Sequence, residues 1–128
     1  MQKVLRRGFT LIELLVVMAI IATLLTLALP RYFGSVDKSK EVTLVQSLAT
    51  MRDAIDKFYA DNGRYPEQIA DLVEKRYLRA VPVDPITESK DTWVVIAPPS
   101  NAQLKGNVYD IKSGAQGKTR EGVDFSQL

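Results

Sequence analysis

The chain has 128 residues, with 17 lysines and arginines, 15 aspartates and glutamates, and neither cysteine nor histidine. This length allows one small domain at most. The lack of cysteine excludes disulfides and thiolate chemistry, and the lack of histidine removes the commonest general base and metal ligand.

The first seven residues are basic, because they include Lys3, Arg6 and Arg7 and no acidic residue. After Gly8, 14 basic and 15 acidic side chains remain, so the formal net charge of +2 belongs to this leader. The high pI is therefore not a nucleic-acid signal. Basic flanks of membrane segments stay in the cytoplasm, so the leader predicts a cytoplasmic N-terminus and an exported remainder.

An apolar run of 21 residues follows, from Phe9 to Leu29, and Glu13 is its only ionisable residue. As a helix the run would span roughly 31 Å, enough to cross a bilayer. A carboxylate in lipid costs about 2.5 to 3.5 kcal/mol, so we expect Glu13 to have a partner. If the chain is cut after Gly8, the new amine of Phe9 can pair with Glu13, within one chain or between chains stacked with an axial offset.

Gly8 and the following Phe-Thr-Leu-Ile-Glu-Leu-Leu-Val-Val resemble the class III signal of type IV pilins and type II secretion pseudopilins. The resemblance implies that a prepilin peptidase cuts after Gly8 and methylates Phe9, that Glu13 directs assembly, and that Pro30 bends the helix. The alternatives are an ordinary signal anchor and a secretory signal peptide cut further on. Neither alternative explains Glu13.

The chain divides into a leader (1–8), a transmembrane and assembly helix (9–29), an amphipathic helix that continues the stem (30–60) and a periplasmic head (61–128). Pro30 either bends a continuous helix, which we favour, or separates two helices. Apolar residues then recur at helical spacing, which predicts one face of a core. They are Leu44, Leu48, Met51, Ile55 and Phe58.

In the head, Asn62-Gly63 and Pro66 end the long helix, and residues 67–76 predict a short helix. Strands are predicted at residues 92–97 and 108–111, and the tail is expected to be a loop closed by Val123 and Phe125. The fold class is therefore α+β, a long N-terminal transmembrane-to-amphipathic helix packed on a small antiparallel sheet. The pattern of residues 61–85 resembles pseudopilins and favours type II secretion.

Major pseudopilins carry a calcium-binding loop near the C-terminus, and residues 109–117 resemble its start. Ser113 matches the family's serine, and Glu121 and Asp124 are the carboxylates close by, but Gln116 stands where the family often has aspartate. Calcium takes six to eight oxygen ligands, several from carboxylates. A calcium loop therefore competes with a metal-free loop held by its own hydrogen bonds, which we favour.

We predict a structural subunit of a type II secretion pseudopilus that polymerises through its N-terminal helix and drives protein export across the outer membrane. The alternatives are a type IV pilus subunit, serving adhesion, motility or DNA uptake, and a membrane-anchored binding module. The expected partners are further copies, the prepilin peptidase, minor pseudopilins and the inner-membrane assembly platform. We expect a single-pass inner-membrane protein with a periplasmic head before it enters the filament.

Two other function classes are not expected. The serines have no base to activate them, and no glycine-rich phosphate loop follows a strand, so no enzyme is predicted. The basic residues of the tail lack stacking aromatics apart from Tyr109, so no nucleic-acid partner is predicted.

Overall fold

The computed structural model describes residues 7–128, and the first six residues of the predicted leader lie outside this range. Helix α1 spans Leu11–Asn62 and is continuous through Pro30. The chain divides into two units, and the boundary along the sequence lies between Asp37 and Lys38. Each unit is described by itself.

The described part of the first unit has no buried core. Its helical residues are exposed or half-buried, and the large apolar side chains remain between 45% and 75% exposed from Leu11 to Leu29. α1 is the one helix of residues 7–128 that is long and apolar enough to cross a membrane, by length and composition. This segment therefore carries apolar surface that is not covered by any other part of residues 7–128.

The second unit contains the core, and α1 supplies one side of it. The five residues of the predicted stripe are at most 2% exposed, which confirms that face. They pack with apolar side chains from the rest of the unit, namely Leu72, Leu78, Trp93, Val108, Ile111, Ala115 and Phe125. The α+β class, with a long helix against a small antiparallel sheet, is confirmed.

α1 ends as predicted, at Asn62, and Gly63 follows with a positive φ of 69°. The N–H of Gly63 donates to the carbonyl of Tyr59 at 2.8 Å, a helix-terminating bond. Helix α2 spans Ile69–Glu74, shorter than the predicted 67–76. Its N-terminal neighbours form a cap instead, because the side chain of Asp71 accepts the N–H groups of residues 67 and 68.

The sheet within residues 7–128 has two strands, β1 (Val94–Ile96) and β2 (Asp110–Lys112). They are antiparallel, with Val95 opposite Ile111. Both are shorter than predicted, and β2 starts later than residue 108. Val108 is fully buried, but its N–H donates to the carbonyl of Pro66 at 2.8 Å rather than to a strand.

The tail ends in a 3-10 turn, Phe125–Gln127. Phe125 is buried, as predicted, but the prediction that Val123 packs inward is wrong, since it is 42% exposed. The N–H of Thr119 donates to the carbonyl of Val123 at 2.7 Å, and Gly122 turns the chain between them with a φ of 85°. This tight turn leaves the Val123 side chain in solvent.

Candidate functional site

The N-terminus of α1 is closed by two reciprocal hydrogen bonds between Thr10 and Glu13. The N–H of Glu13 donates to Thr10 Oγ1 at 3.2 Å, and the N–H of Thr10 donates to Glu13 Oε2 at 3.0 Å. This is a capping box, which satisfies donors that have no partner inside the helix. The sequence analysis missed it and considered only the charge of Glu13, although Thr-x-x-Glu before an apolar run is a readable signal.

The predicted cleavage point lies just before this cap, in a stretch without regular secondary structure. Phe9 is 90% exposed, and the space beside the Cα of Gly8 is open. A protease can therefore reach the bond between them. Cleavage there would create an amine one residue from the Thr10 N–H that Glu13 accepts. The positive end of the helix dipole also favours the carboxylate at this position.

Pro30, the other residue of the predicted assembly site, lies inside α1. Because proline has no N–H, the hydrogen bond to the carbonyl of residue 26 is missing. The hydroxyl of Thr26 donates to the carbonyl of Ala22 at 2.8 Å, a contact that often accompanies helix bending. Gly8, Phe9 and Glu13 thus lie at the start of α1, and Pro30 lies apart along it.

The C-terminal loop is fastened by a buried carboxylate that the sequence analysis did not identify. Asp84 is fully buried, and its Oδ2 accepts the hydroxyl of Ser113 at 2.5 Å. Its Oδ1 accepts the N–H groups of Ile86 and Thr87, at 2.8 and 3.3 Å. Ser113 Oγ in turn accepts the N–H of Ala115 at 3.1 Å. The sequence signal was Asp-Pro-Ile, since aspartate in turns binds the N–H two residues on.

The predicted calcium residues do not converge. Ser113 and Asp124 line one pocket, whereas Glu121 lines a separate groove beside residues 38–46 of α1. Among residues 7–128, no three or more acidic side chains are grouped as metal ligands. Asp124 is the one carboxylate lining the pocket, and the hydroxyl of Ser113 is already held by Asp84, so this set fits calcium poorly. Calcium binding stays a prediction, and a rise in the thermal midpoint on adding calcium would support it.

Arg52 holds the same region from the side of α1. Its Nε donates to Asp110 Oδ1 at 2.8 Å, and its Nη2 donates to the carbonyls of Ile111 and Leu128, at 3.0 and 2.8 Å. Lys112 Nζ also donates to the Leu128 carbonyl, at 3.1 Å. The sequence analysis did not identify this role of Arg52. These contacts join α1, β2 and the tail.

Three tyrosines form a cluster on the head. The rings of Tyr59 and Tyr65 stack with centroids 4.5 Å apart, and Tyr109 meets Tyr65 edge-on at 5.1 Å. Burial raises the pKa of the Tyr65 hydroxyl, and the negative potential of its neighbours Tyr109, Tyr59 and Asp56 adds to that rise. A phenol of ordinary pKa 10.0 is already protonated at neutral pH, and the raised pKa extends the protonated range of Tyr65 further into alkaline pH.

Comparison with known proteins gives one family match and several relatives. Residues 5–29 match the prokaryotic N-terminal methylation motif. The "Type II secretion system core protein G" of Klebsiella michiganensis is 38% identical over 48% of this chain and 43% of its own length. The protein of the same name from Pectobacterium carotovorum is 31% identical over 62% of each chain. No solved structure matches the chain.

A third relative aligns over nearly the whole sequence. The "Fimbrial protein EcpC" of Eikenella corrodens is 31% identical over 93% of this chain and 74% of its own length. The chain spans less than two thirds of the two secretion proteins. The methylation motif lies on the exposed Gly8–Phe9 junction and the capped Glu13, and the fimbrial relative extends the match through the head. The chain therefore belongs to the type IV pilin and pseudopilin family.

Proposed function

We propose that the chain is the structural subunit of a type II secretion pseudopilus. The observation that carries the proposal is the apolar stretch of α1, which is exposed in the described part of the chain and directly follows the exposed junction of Gly8 and Phe9. Such a surface is stable in lipid or against copies of itself. The relatives named "Type II secretion system core protein G" support secretion as the process that this polymer serves.

Assembly would proceed from membrane to filament. The prepilin peptidase cuts after Gly8 and methylates Phe9, while residues 9–29 keep the subunit in the inner membrane with its head in the periplasm. The subunit then leaves the lipid and joins a bundle of α1 helices. Glu13 pairs with the Phe9 amine of a neighbouring subunit, and their separation of four positions would correspond to an axial offset of about 6 Å if this stretch is helical in the filament. The energy comes from the assembly platform.

Growth of this polymer would push secreted proteins toward the outer membrane. Its partners are further copies of the chain, minor pseudopilins and the inner-membrane assembly platform. Charge pairing at Glu13 would select the register of each incoming subunit, because an unpaired carboxylate in an apolar bundle is unfavourable.

The second candidate is a type IV pilus subunit. The observation that favours it is the fimbrial relative, whose alignment covers 93% of the chain, more than either secretion relative. Both functions use the same polymerisation surface, so the geometry of α1 does not separate them. The distinction depends on which process stops when the protein is missing.

The test is a strain that lacks this protein, compared with the same strain carrying it on a plasmid. Accumulation of exoproteins in the periplasm, with surface pili and twitching intact, is the expected result. Normal secretion with loss of pili would instead assign the chain to a pilus. A Glu13→Ala plasmid serves as a matched control, since it should insert but not complement.

A further inference from the structure

One edge of the sheet is open. Within residues 7–128, β1 pairs with β2 on one side and with no strand on the other. All three β1 residues are exposed, Val94 by 45%, Val95 by 41% and Ile96 by 39%. An uncharged, β-branched strand with an unpaired edge is a template for pairing with another strand.

The hydrogen bonds of β2 show which backbone groups of β1 face this open edge. The N–H of Ile111 donates to Asp110 Oδ1 at 2.7 Å, and its carbonyl accepts Arg52 Nη2. Ile111 therefore turns its backbone groups away from its partner Val95, which makes this a non-hydrogen-bonded pair. The N–H and C=O of Val95 consequently point outward, and by alternation so do those of residues 93 and 97.

Those outward groups remain available. Within residues 7–128, no backbone hydrogen bond to a turn or loop involves residues 93, 95 or 97. Pro98 lacks an N–H, but it falls on the alternate positions that face β2, so it does not block the edge. Within β1 the open edge thus presents the N–H and C=O of Val95 in strand geometry, and residues 93 and 97 flank the strand on either side.

We propose that the open edge of β1 pairs antiparallel with the same edge of a second copy of this chain. Centred on Val95, a two-fold pairing places Val95 opposite Val95, Val94 opposite Ile96, and Trp93 opposite Ala97. No charge occurs from Thr92 to Ala97, so no like charges oppose each other. The product is a four-stranded sheet with β1 strands at its centre.

This contact joins different filaments or free subunits. A two-fold interface uses the same patch on both copies, whereas successive subunits of a polar filament meet through different patches. The interface is small, so one pair binds weakly, but a filament displays many copies and the contacts add along its length. The joining of filaments rests on the proposed function, whereas the pairing of two free subunits does not.

The first experiment is oxidative cross-linking of the full chain in membranes. Because the chain has no cysteine, Val95→Cys introduces a single thiol. Hydrogen-bonded antiparallel pairs have Cα atoms about 5.5 Å apart, within disulfide range. We expect a disulfide-linked dimer from Val95→Cys, and monomer from Val83→Cys, whose residue is 54% exposed outside β1. Equal yields from the two variants would overturn the proposal.

The Glu13→Ala background separates this inference from the proposed function. If filament assembly fails there and the Val95→Cys dimer persists, the edge pairs by itself. If the dimer disappears along with the filaments, the contact is a product of polymer packing and the two-fold pairing is refuted.

Charge substitutions test the register without a thiol. Val95→Lys places two lysines opposite each other, and we expect loss of dimers and of lateral bundles seen by electron microscopy. The double variant Val94→Glu/Ile96→Lys places each new glutamate opposite a new lysine of the second copy and should retain both. Within its own sheet the same variant also pairs unlike charges, because position 94 lies opposite Lys112 and position 96 opposite Asp110. Wild-type association of Val95→Lys, or failure of the double variant to associate while its thermal midpoint stays unchanged, would contradict the register.

Discussion

Glu13 carries a negative charge and a hydrogen-bond acceptor, and substitution can separate these two properties. In the structure the acceptor closes the helix by binding the Thr10 N–H. The charge is the property that the proposed pairing with a neighbour's amine requires. Glutamine keeps the acceptor, since it also serves in capping boxes, whereas alanine removes both.

We predict that Glu13→Gln and Glu13→Ala both insert in the membrane and both fail to form filaments, because neither supplies the charge. Filaments sheared from cells and membrane fractions would be measured by immunoblot. Leu14→Gln is a matched control that adds a polar amide next to Glu13 without removing its charge. Filaments from Glu13→Gln, but not from Glu13→Ala, would show that the cap rather than the charge directs assembly.

Tyr77 gives the head a dependence on alkaline pH. Its hydroxyl donates to Asp61 Oδ2 at 2.7 Å, and its ring meets Phe58 edge-on. The hydrogen bond to Asp61 raises the pKa of Tyr77 above its ordinary value of 10.0, and burial adds to the rise. A raised pKa in the folded state stabilises the fold below pH 10, and that contribution is lost as the pH rises through the folded value.

We therefore expect the thermal midpoint of the wild-type head to fall above about pH 10, and to fall less in Tyr77→Phe. Phenylalanine keeps the ring contact with Phe58 and removes the ionising hydroxyl. Circular dichroism melts at a series of pH values measure this. Tyr32→Phe is the control, since Tyr32 is 64% exposed outside the head. Parallel pH curves for wild type and Tyr77→Phe would refute the role of this hydroxyl.

Single residues were predictable where a local motif defines them. The order of three residues beside an apolar run identifies Gly8, Phe9 and Glu13. The Thr10 cap was predictable from the same stretch of sequence. Asp84 and Arg52 could not be assigned in this way. Their partners lie 29 and 58 or more residues away in the sequence, so their roles depend on tertiary contacts.

Arg52 connects three elements, α1, β2 and the tail, through one side chain. The guanidinium binds a carboxylate and two carbonyls in a planar fork. The ion pair with Asp110 is about one third exposed, so solvent screens part of its energy. Most of the stabilisation by Arg52 should therefore come from its hydrogen bonds to the two backbone oxygens. One of them belongs to the fully buried Ile111 and would lose its donor if Arg52 were removed.

We predict that Arg52→Met lowers the free energy of unfolding by about 1 to 2 kcal/mol, and that Arg52→Lys recovers less than half, because an ammonium group does not reproduce the fork. Urea denaturation of the solubilised chain measures both. Lys57→Met is the control: its ion pair with Asp53 is exposed on both sides, and little change is expected. Full recovery in Arg52→Lys would indicate that charge alone matters.

Among the elements, the helices were easier to predict than the strands. The spacing of the α1 stripe and the Asn62-Gly63 terminator are periodic or local signals. The strand limits follow instead from competition for backbone groups: Val108 has a strand-like sequence, yet its N–H is taken by Pro66. A tertiary contact that prevents a strand-forming residue from pairing cannot be predicted from one sequence.

The whole molecule separates folding from assembly. All the buried apolar core residues of the described chain lie between Leu44 and Phe125, within the unit Lys38–Leu128. The helical residues before this unit supply no buried apolar side chain. The apolar surface that we propose to drive polymerisation thus contributes no buried side chain to the core of the unit Lys38–Leu128.

We predict that residues 38–128 alone form a soluble domain that unfolds in one cooperative transition, since the fragment keeps every core contact. Its thermal midpoint should lie within a few degrees of the head transition of the full chain in detergent.

Leu48→Ala should lower the stability of both forms by about 2 to 5 kcal/mol, because the side chain is fully packed. Ile20→Ala, in the full chain, should leave the head transition unchanged, because that side chain is 54% exposed and not part of the core. The same substitution should reduce filament yield, because it removes apolar surface proposed to pack against another copy. A fragment without a cooperative transition would mean that the first part of α1 is required for folding, and the separation of the two surfaces would then be wrong.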